Sequence, residues 1–113
     1  MMSKRQLFRL ADIFSRIRAV FLKQNCEGLK SQLEKNWAEM TDVERFSKIL
    51  IMLDEKQCDT EMVIPLLLKL LSTAADPFYR EQSISKIAEL DGIRYRNVLI
   101  EAFRSDPDQH VRI

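Results

Sequence analysis

Residues 63–90 constrain this chain more than any other stretch. Val63, Ile64, Leu66, Leu67, Leu68, Leu70 and Leu71 form an apolar run interrupted by Pro65 and Lys69, and a second apolar set, Tyr79, Ile84, Ile87, Ala88 and Leu90, follows Asp76-Pro77. Proline has no amide to donate and clashes with the preceding turn. The first helix therefore starts close to Ile64 or bends there, whereas Pro77 suits the opening position of a new helix. Shifted by 32 residues without gaps, Leu67 falls on Leu99, Leu68 on Ile100, Leu71 on Phe103, Asp76 on Asp108, Tyr79 on Val111 and Arg80 on Arg112. Self-similarity at this period marks stacked helix pairs, because one pair cannot bury its apolar faces alone.

The rest of the chain also reads as helix. Leu7, Leu10, Phe14, Ile17 and Phe21 recur at alternating steps of three and four, widened by Ala11 and Val20, and predict a first helix over 4–24. Asn25-Cys26-Glu27-Gly28 should interrupt it, since Gly and Asn both disfavour helix interiors. Leu29, Leu33, Trp37 and Met40 then predict a short second helix. Thr41-Asp42-Val43-Glu44 has the pattern of a capping box, so a third helix should begin at Asp42 and bury Val43, Phe46, Ile49, Leu50 and Leu53. Asp59 or Thr60 can cap the next helix, Asp91-Gly92 should close the one after in a left-handed cap, and a last helix is expected over about 94–104.

Composition agrees. Hydrophobic residues make up 46%, charged residues 31%, and only two glycines occur in 113 residues, which suits packed amphipathic helices better than disorder or a turn-rich sheet. A chain of this size hides roughly two-thirds of its extended surface, enough for one core. The expected organisation is a single helical domain: N-terminal helices or a cap over 1–58, a repeat over 59–92 and a partial second repeat over 93–113.

Residues 63–71, Asp76-Pro77-Phe78-Tyr79-Arg80 and 84–90 together resemble a HEAT repeat. In that family the first helix often carries an early proline, the turn an Asp, and the second helix opens with Val-Arg. Pro65, Asp76 and Arg80 match, Tyr79 stands where valine is usual, and Asp108, Val111 and Arg112 fit the second copy. The resemblance covers about half the chain and implies an all-α fold of stacked antiparallel helix pairs, five or six helices in all. It also implies that Asp76 with Arg80, and Asp108 with Arg112, form a ladder between neighbouring turns and do no chemistry. The apolar turn 72–75 departs from the family, and residues before Asp42 show no repeat signature.

Nothing in the sequence builds an active site. Gly28 and Gly92 cannot form a phosphate-cradling loop, and HExxH, GxSxG and acidic calcium-loop patterns do not occur. His110 beside Asp108 lacks a nucleophile and reads as an exposed helix residue. Cys26 and Cys58 lack metal-ligand spacing, and reduced intracellular thiols are expected, with a single disulfide as the alternative. No enzyme, metal or cofactor is expected. With no long apolar block, the reading is a soluble cytoplasmic protein without a membrane span.

Charge is uneven along the chain. Lys4, Arg5, Arg9, Arg16, Arg18 and Lys23 against Asp12 alone make residues 1–24 +5, which leaves −4 for the remainder of a chain whose formal charge is +1. These cations surround the stripe running from Leu7 to Phe21, whose Phe14 and Phe21, like Phe8, Trp37 and Phe46, fall at core-compatible spacing. The leading functional expectation is a scaffold that binds a partner protein, self-association included. The candidate contacts are Arg5, Arg9, Arg16, Arg18, Lys23, Arg94 and Arg96, together with a groove of second-helix residues Arg80, Gln82, Ser85, Lys86 and Glu89. The runner-up is nucleic-acid binding through residues 1–24 with Arg94-Tyr95-Arg96, which would weaken steeply with salt. A compact helical adaptor is the third reading.

Overall fold

Each helix begins where local chemistry permits. In the computed structural model, which describes residues 4–111 with side chains from Leu10 onward, the order is α1 (Lys4–Lys35), a 3₁₀ turn (Trp37–Glu39), α2 (Asp42–Asp54), α3 (Thr60–Thr73), α4 (Pro77–Asp91) and α5 (Arg96–Ser105). The described residues contain no strand, so the protein is all-α.

Thr41 and Glu44 close the expected capping box. The Glu44 amide donates to Thr41 Oγ1 at 3.2 Å, and the Thr41 amide and hydroxyl donate to Glu44 Oε1 at 3.3 and 2.9 Å. The Thr41 hydroxyl, and after it the Thr41 amide, hold the Glu44 carboxyl below its ordinary pKa. A group that releases its proton more easily when folded stabilises the fold above the ordinary glutamate range, and that share is lost as pH falls through the lowered value. Thr41→Ala should lower stability by about 1 kcal/mol at neutral pH. Urea midpoints at pH 7 and in acid should show the gap between wild type and variant narrowing as Glu44 takes up its proton.

Asp76 caps α4 through the Phe78 amide at 2.9 Å, with Pro77 at the first helical position. Pro65 lies inside α3, which starts earlier, at Thr60. Its missing amide falls at the exposed edge of the first turns, while Val63, Ile64, Leu66, Leu67 and Leu70 on the other sides are buried. Gly92 does not take the left-handed conformation expected of it, since its φ is −62°. What it supplies is room: a Cβ there would stand 2.7 Å from the Ala88 carbonyl oxygen. The left-handed position belongs to Gln57 (φ 52°), just past the end of α2, where the Cys58 amide turns back to the Met52 carbonyl at 2.8 Å.

That turn explains two departures from expectation. Cys58 is presented to Cys26, and the two form a disulfide with Cα atoms 5.7 Å apart, both residues buried. The thiols are therefore not free, which removes the reason for assigning the chain to a reducing compartment. The break expected at Gly28 is also absent, because α1 runs unbroken across it. An interior glycine costs about 1 kcal/mol relative to alanine, and the anchoring of Cys26 and the packing of Leu29 and Leu33 on either side outweigh it.

Packing follows chain order. α1 lies on α2 and α3, α2 on α3, α3 on α4 and α4 on α5, while α2 also meets α4 across the intervening helix. Odd and even helices thus form two layers, as in a stack of antiparallel pairs. Ile49, Val63, Leu66, Leu67, Leu70, Ile84 and Ile87 make the core between them. Val43, expected inside, is half in water, and Met52 takes the buried place on α2. Trp37 seals the end of α1, with the Arg45 guanidinium 5.1 Å and the Lys69 ammonium 4.9 Å from the ring and its indole nitrogen donating to Thr73 Oγ1 at 3.3 Å.

A polar ladder runs along one edge of the stack. The fourth residue of α2, Arg45, donates twice to the Trp37 carbonyl, at 2.9 and 2.6 Å, and pairs with Asp42 at 3.0 Å. The other Asp42 oxygen accepts the amides of Ala75 and Asp76 in the next turn, both at 3.1 Å. The fourth residue of α4, Arg80, donates to the carbonyls of Ala74 and Ala75 and forks onto Asp106 at 2.8 and 3.2 Å. The partner of Arg80 is thus Asp106, in the next turn along. Asp76 and Asp108 instead build like turns 32 residues apart: each carboxylate accepts the amide two residues on, at 2.9 and 2.8 Å, and each carbonyl the amide three on, at 3.1 Å. Arg112 lies outside the described residues.

Candidate functional site

The largest departure from ordinary packing is the first half of α1. A chain of 113 residues folded compactly has a radius of gyration of about 13 Å, yet here it is 18.4 Å, with extents of 68 × 32 × 15 Å. The excess is α1, which runs antiparallel to α2, is pinned at Cys26 beside the α2–α3 turn, and continues past that edge. Every residue from Ala11 to Asn25 is exposed.

From Phe14 to Phe21, the stripe expected to enter the core is therefore in water. Phe14 and Phe21 are each 66% exposed, and Ile13, Ile17 and Val20 are exposed with them. Turning about 100° per residue, these five side chains point roughly 150° around the helix from Cys26, Leu29 and Leu33, the side that meets the body. A helix has only one side to give to each neighbour. α1 gives the Cys26 side to α2 and α3, so this arrangement leaves the Phe14 side bare.

The structure separates the other candidates. Arg16, Arg18 and Lys23 are exposed on the projecting helix, Arg16 in an ion pair with Asp12 at 3.0 Å. Arg5 and Arg9 fall outside the described side chains. Arg80 faces the interior of the ladder, where its hydrogen bond to Asp106 pushes its pKa above the ordinary value, and it is not available to line a groove. On α4, Gln82 is half-buried and Lys86 reaches Glu89 at 3.5 Å, while Ser85 and Glu89 face water. Arg94 reaches Glu61 at 3.8 Å and covers the Tyr95 ring, and Arg96 opens α5 in solvent. Pro65 shapes α3 and Asp76, Asp108 and Arg80 shape the turns. Sequence reasoning missed Asp42, Arg45 and Asp106, although the Asp-Pro pairs at 76–77 and 106–107 were a legible hint to the last.

No protein family, curated protein or solved structure matches this chain.

The described residues contain no cluster of metal-binding side chains and no helix long and apolar enough to cross a membrane. A cleft of about 200 Å³ lies between α1 and α2, walled by Leu29, Gln32, Leu33, Asn36, Lys48, Ile51 and Met52. Small-molecule sites usually enclose about 300–1,000 Å³ around several convergent polar groups. Here Lys48 is the one ionisable group among the wall residues.

Proposed function

We propose that this chain is a non-catalytic, HEAT-like repeat module that binds a partner protein through the free face of α1. The observation that carries the reading is the row Ile13, Phe14, Ile17, Val20 and Phe21, held in water on the side of α1 away from the body. Together these side chains expose on the order of 500 Å², the size of the largest patches on monomeric proteins, which are often functional. Covering that area is worth roughly 12 kcal/mol before association costs of about 4–15 kcal/mol. The apolar row alone therefore supports modest affinity, and the cations beside it supply the remainder.

Nucleic acid is the weaker reading because the edge from which α1 projects carries Asp54, Glu55, Asp59 and Glu61, all exposed, and Glu61 already engages Arg94. A polyanion tracking from Arg18 and Lys23 to Arg96 would meet that acidic edge. The buried disulfide also supports an oxidising compartment over the cytoplasm.

Photo-crosslinking tests the reading. A photoreactive residue in place of Phe14 should give discrete adducts in native cell extract, competed by unlabelled protein, and one in place of Glu101 should not. Absence of adducts at position 14 would remove the main content of the proposal. The Phe14→Ser/Phe21→Ser double variant should keep its unfolding free energy within about 0.5 kcal/mol, because neither ring leaves water on folding.

A further inference from the structure

We infer that the occupant of the α1 face is an apolar groove between two helices of another protein, rimmed by carboxylates. The inference rests on α1 being an interaction surface and names the chemistry of what it meets. Leu10, Phe14, Ile17 and Phe21 recur at steps of four, three and four, the spacing of a heptad seam. Ile13 and Val20 stand seven apart along one side of that seam, and Arg16 and Lys23, again seven apart, run beside them. Apolar and basic rows thus share one period. A facing helix reads such a register, knob by knob, whereas a lipid surface asks only that one side be apolar and the other charged. Ile13 and Val20 make the face wider than a two-stranded seam, which suits seating between two helices.

The sign of the rim follows from the charges. Arg16 and Lys23 border one flank of the row and Arg18 the other, all exposed. Asp12, the one acid among the first 24 residues, is engaged by Arg16 within the same helix. A second copy of residues 1–24 would bring a +5 segment against a +5 segment, with Asp12 the single carboxylate in each against six cations. Carboxylates from a different chain meet these cations and fix the register of the seam.

The test uses the full chain and a synthetic two-helix hairpin with leucine in its groove, made once with glutamate and once with lysine along both rims. Fluorescence anisotropy should show the glutamate-rimmed hairpin binding at least about tenfold more tightly, with the preference shrinking between roughly 50 and 500 mM salt. Phe14→Ser/Phe21→Ser should abolish binding, and Arg16→Glu/Arg18→Glu/Lys23→Glu should reverse the preference toward the lysine rim. Circular dichroism establishes that both variants keep their helix. Equal affinity for the two hairpins would overturn the proposal, as would dimerisation through α1 in sedimentation equilibrium. Binding to vesicles containing phosphatidylserine that rivals binding to the hairpin would overturn it too. Crosslinking at position 14 separates the two failures. Adducts without a rim preference sink the acidic groove alone, and no adducts sink the interaction surface with it.

Discussion

The Cys26→Ala/Cys58→Ala variant should unfold with about 3–4 kcal/mol less free energy than the oxidised protein. The bond joins residues 32 apart in sequence. Closing a loop of that length removes chain entropy from the unfolded state, by an amount that grows with the logarithm of the loop. Domains of this size are stable by about 5–15 kcal/mol, so the loss is a large fraction of the whole. It should also be uneven. Among the described residues, α1 has buried side chains only from Cys26 onward, and Cys26 is the outermost buried point of its contact with the body. Hydrogen exchange should therefore accelerate most at residues 26–35 and least in α3 and α4. Unfolding in urea, with intact mass confirming loss of the bond, checks the first expectation. An unchanged midpoint would show that the helix is held by packing alone.

Arg80→Met should cost about 3–5 kcal/mol, the range for breaking a buried ion pair from one side. The methionine retains the apolar stem and removes every hydrogen bond. Asp106, 5% exposed at its side chain, would lose the fork that faces it, and the carbonyls of Ala74 and Ala75 would lose their shared donor. Arg80→Lys should recover part of the loss, since an ammonium keeps the charge but cannot span both Asp106 oxygens and the turn carbonyls together. The guanidinium's own pKa is raised, so its contribution is complete below its unfolded pKa and is lost only in strong alkali as pH rises through the folded value. Between pH 6 and 9 the penalty should therefore stay flat. A steep slope there would assign the stability to another group.

The projecting helix shows how far sequence patterning reaches. The spacing of Leu10, Phe14, Ile17 and Phe21 correctly specified a helix with one apolar side. It also suggested that this side faces the core, and there the inference failed, because an apolar stripe states what a face requires and not which chain supplies it. Gly28 failed for a related reason. Its cost of about 1 kcal/mol is a local quantity, and it is outweighed by Cys26, Leu29 and Leu33, whose partners lie in α2, α3 and the turn between them. The cations followed suit. Arg16, Arg18 and Lys23 remained available, while Arg80 was absorbed by Asp106, 26 residues away.

What the sequence determined by itself is local. Thr41 with Glu44, Asp76 with Pro77, and the 32-residue echo of Asp76 in Asp108 set helix starts and like turns, because those bonds close within three residues. Tertiary structure alone decided the pairing of Cys26 with Cys58, the grip of Asp42 on Ala75 and Asp76, and the side of α1 left in water. Each depends on where distant segments are brought together. For the apolar row that begins with Ile13 and Phe14, the body of the chain is on the other side of the helix.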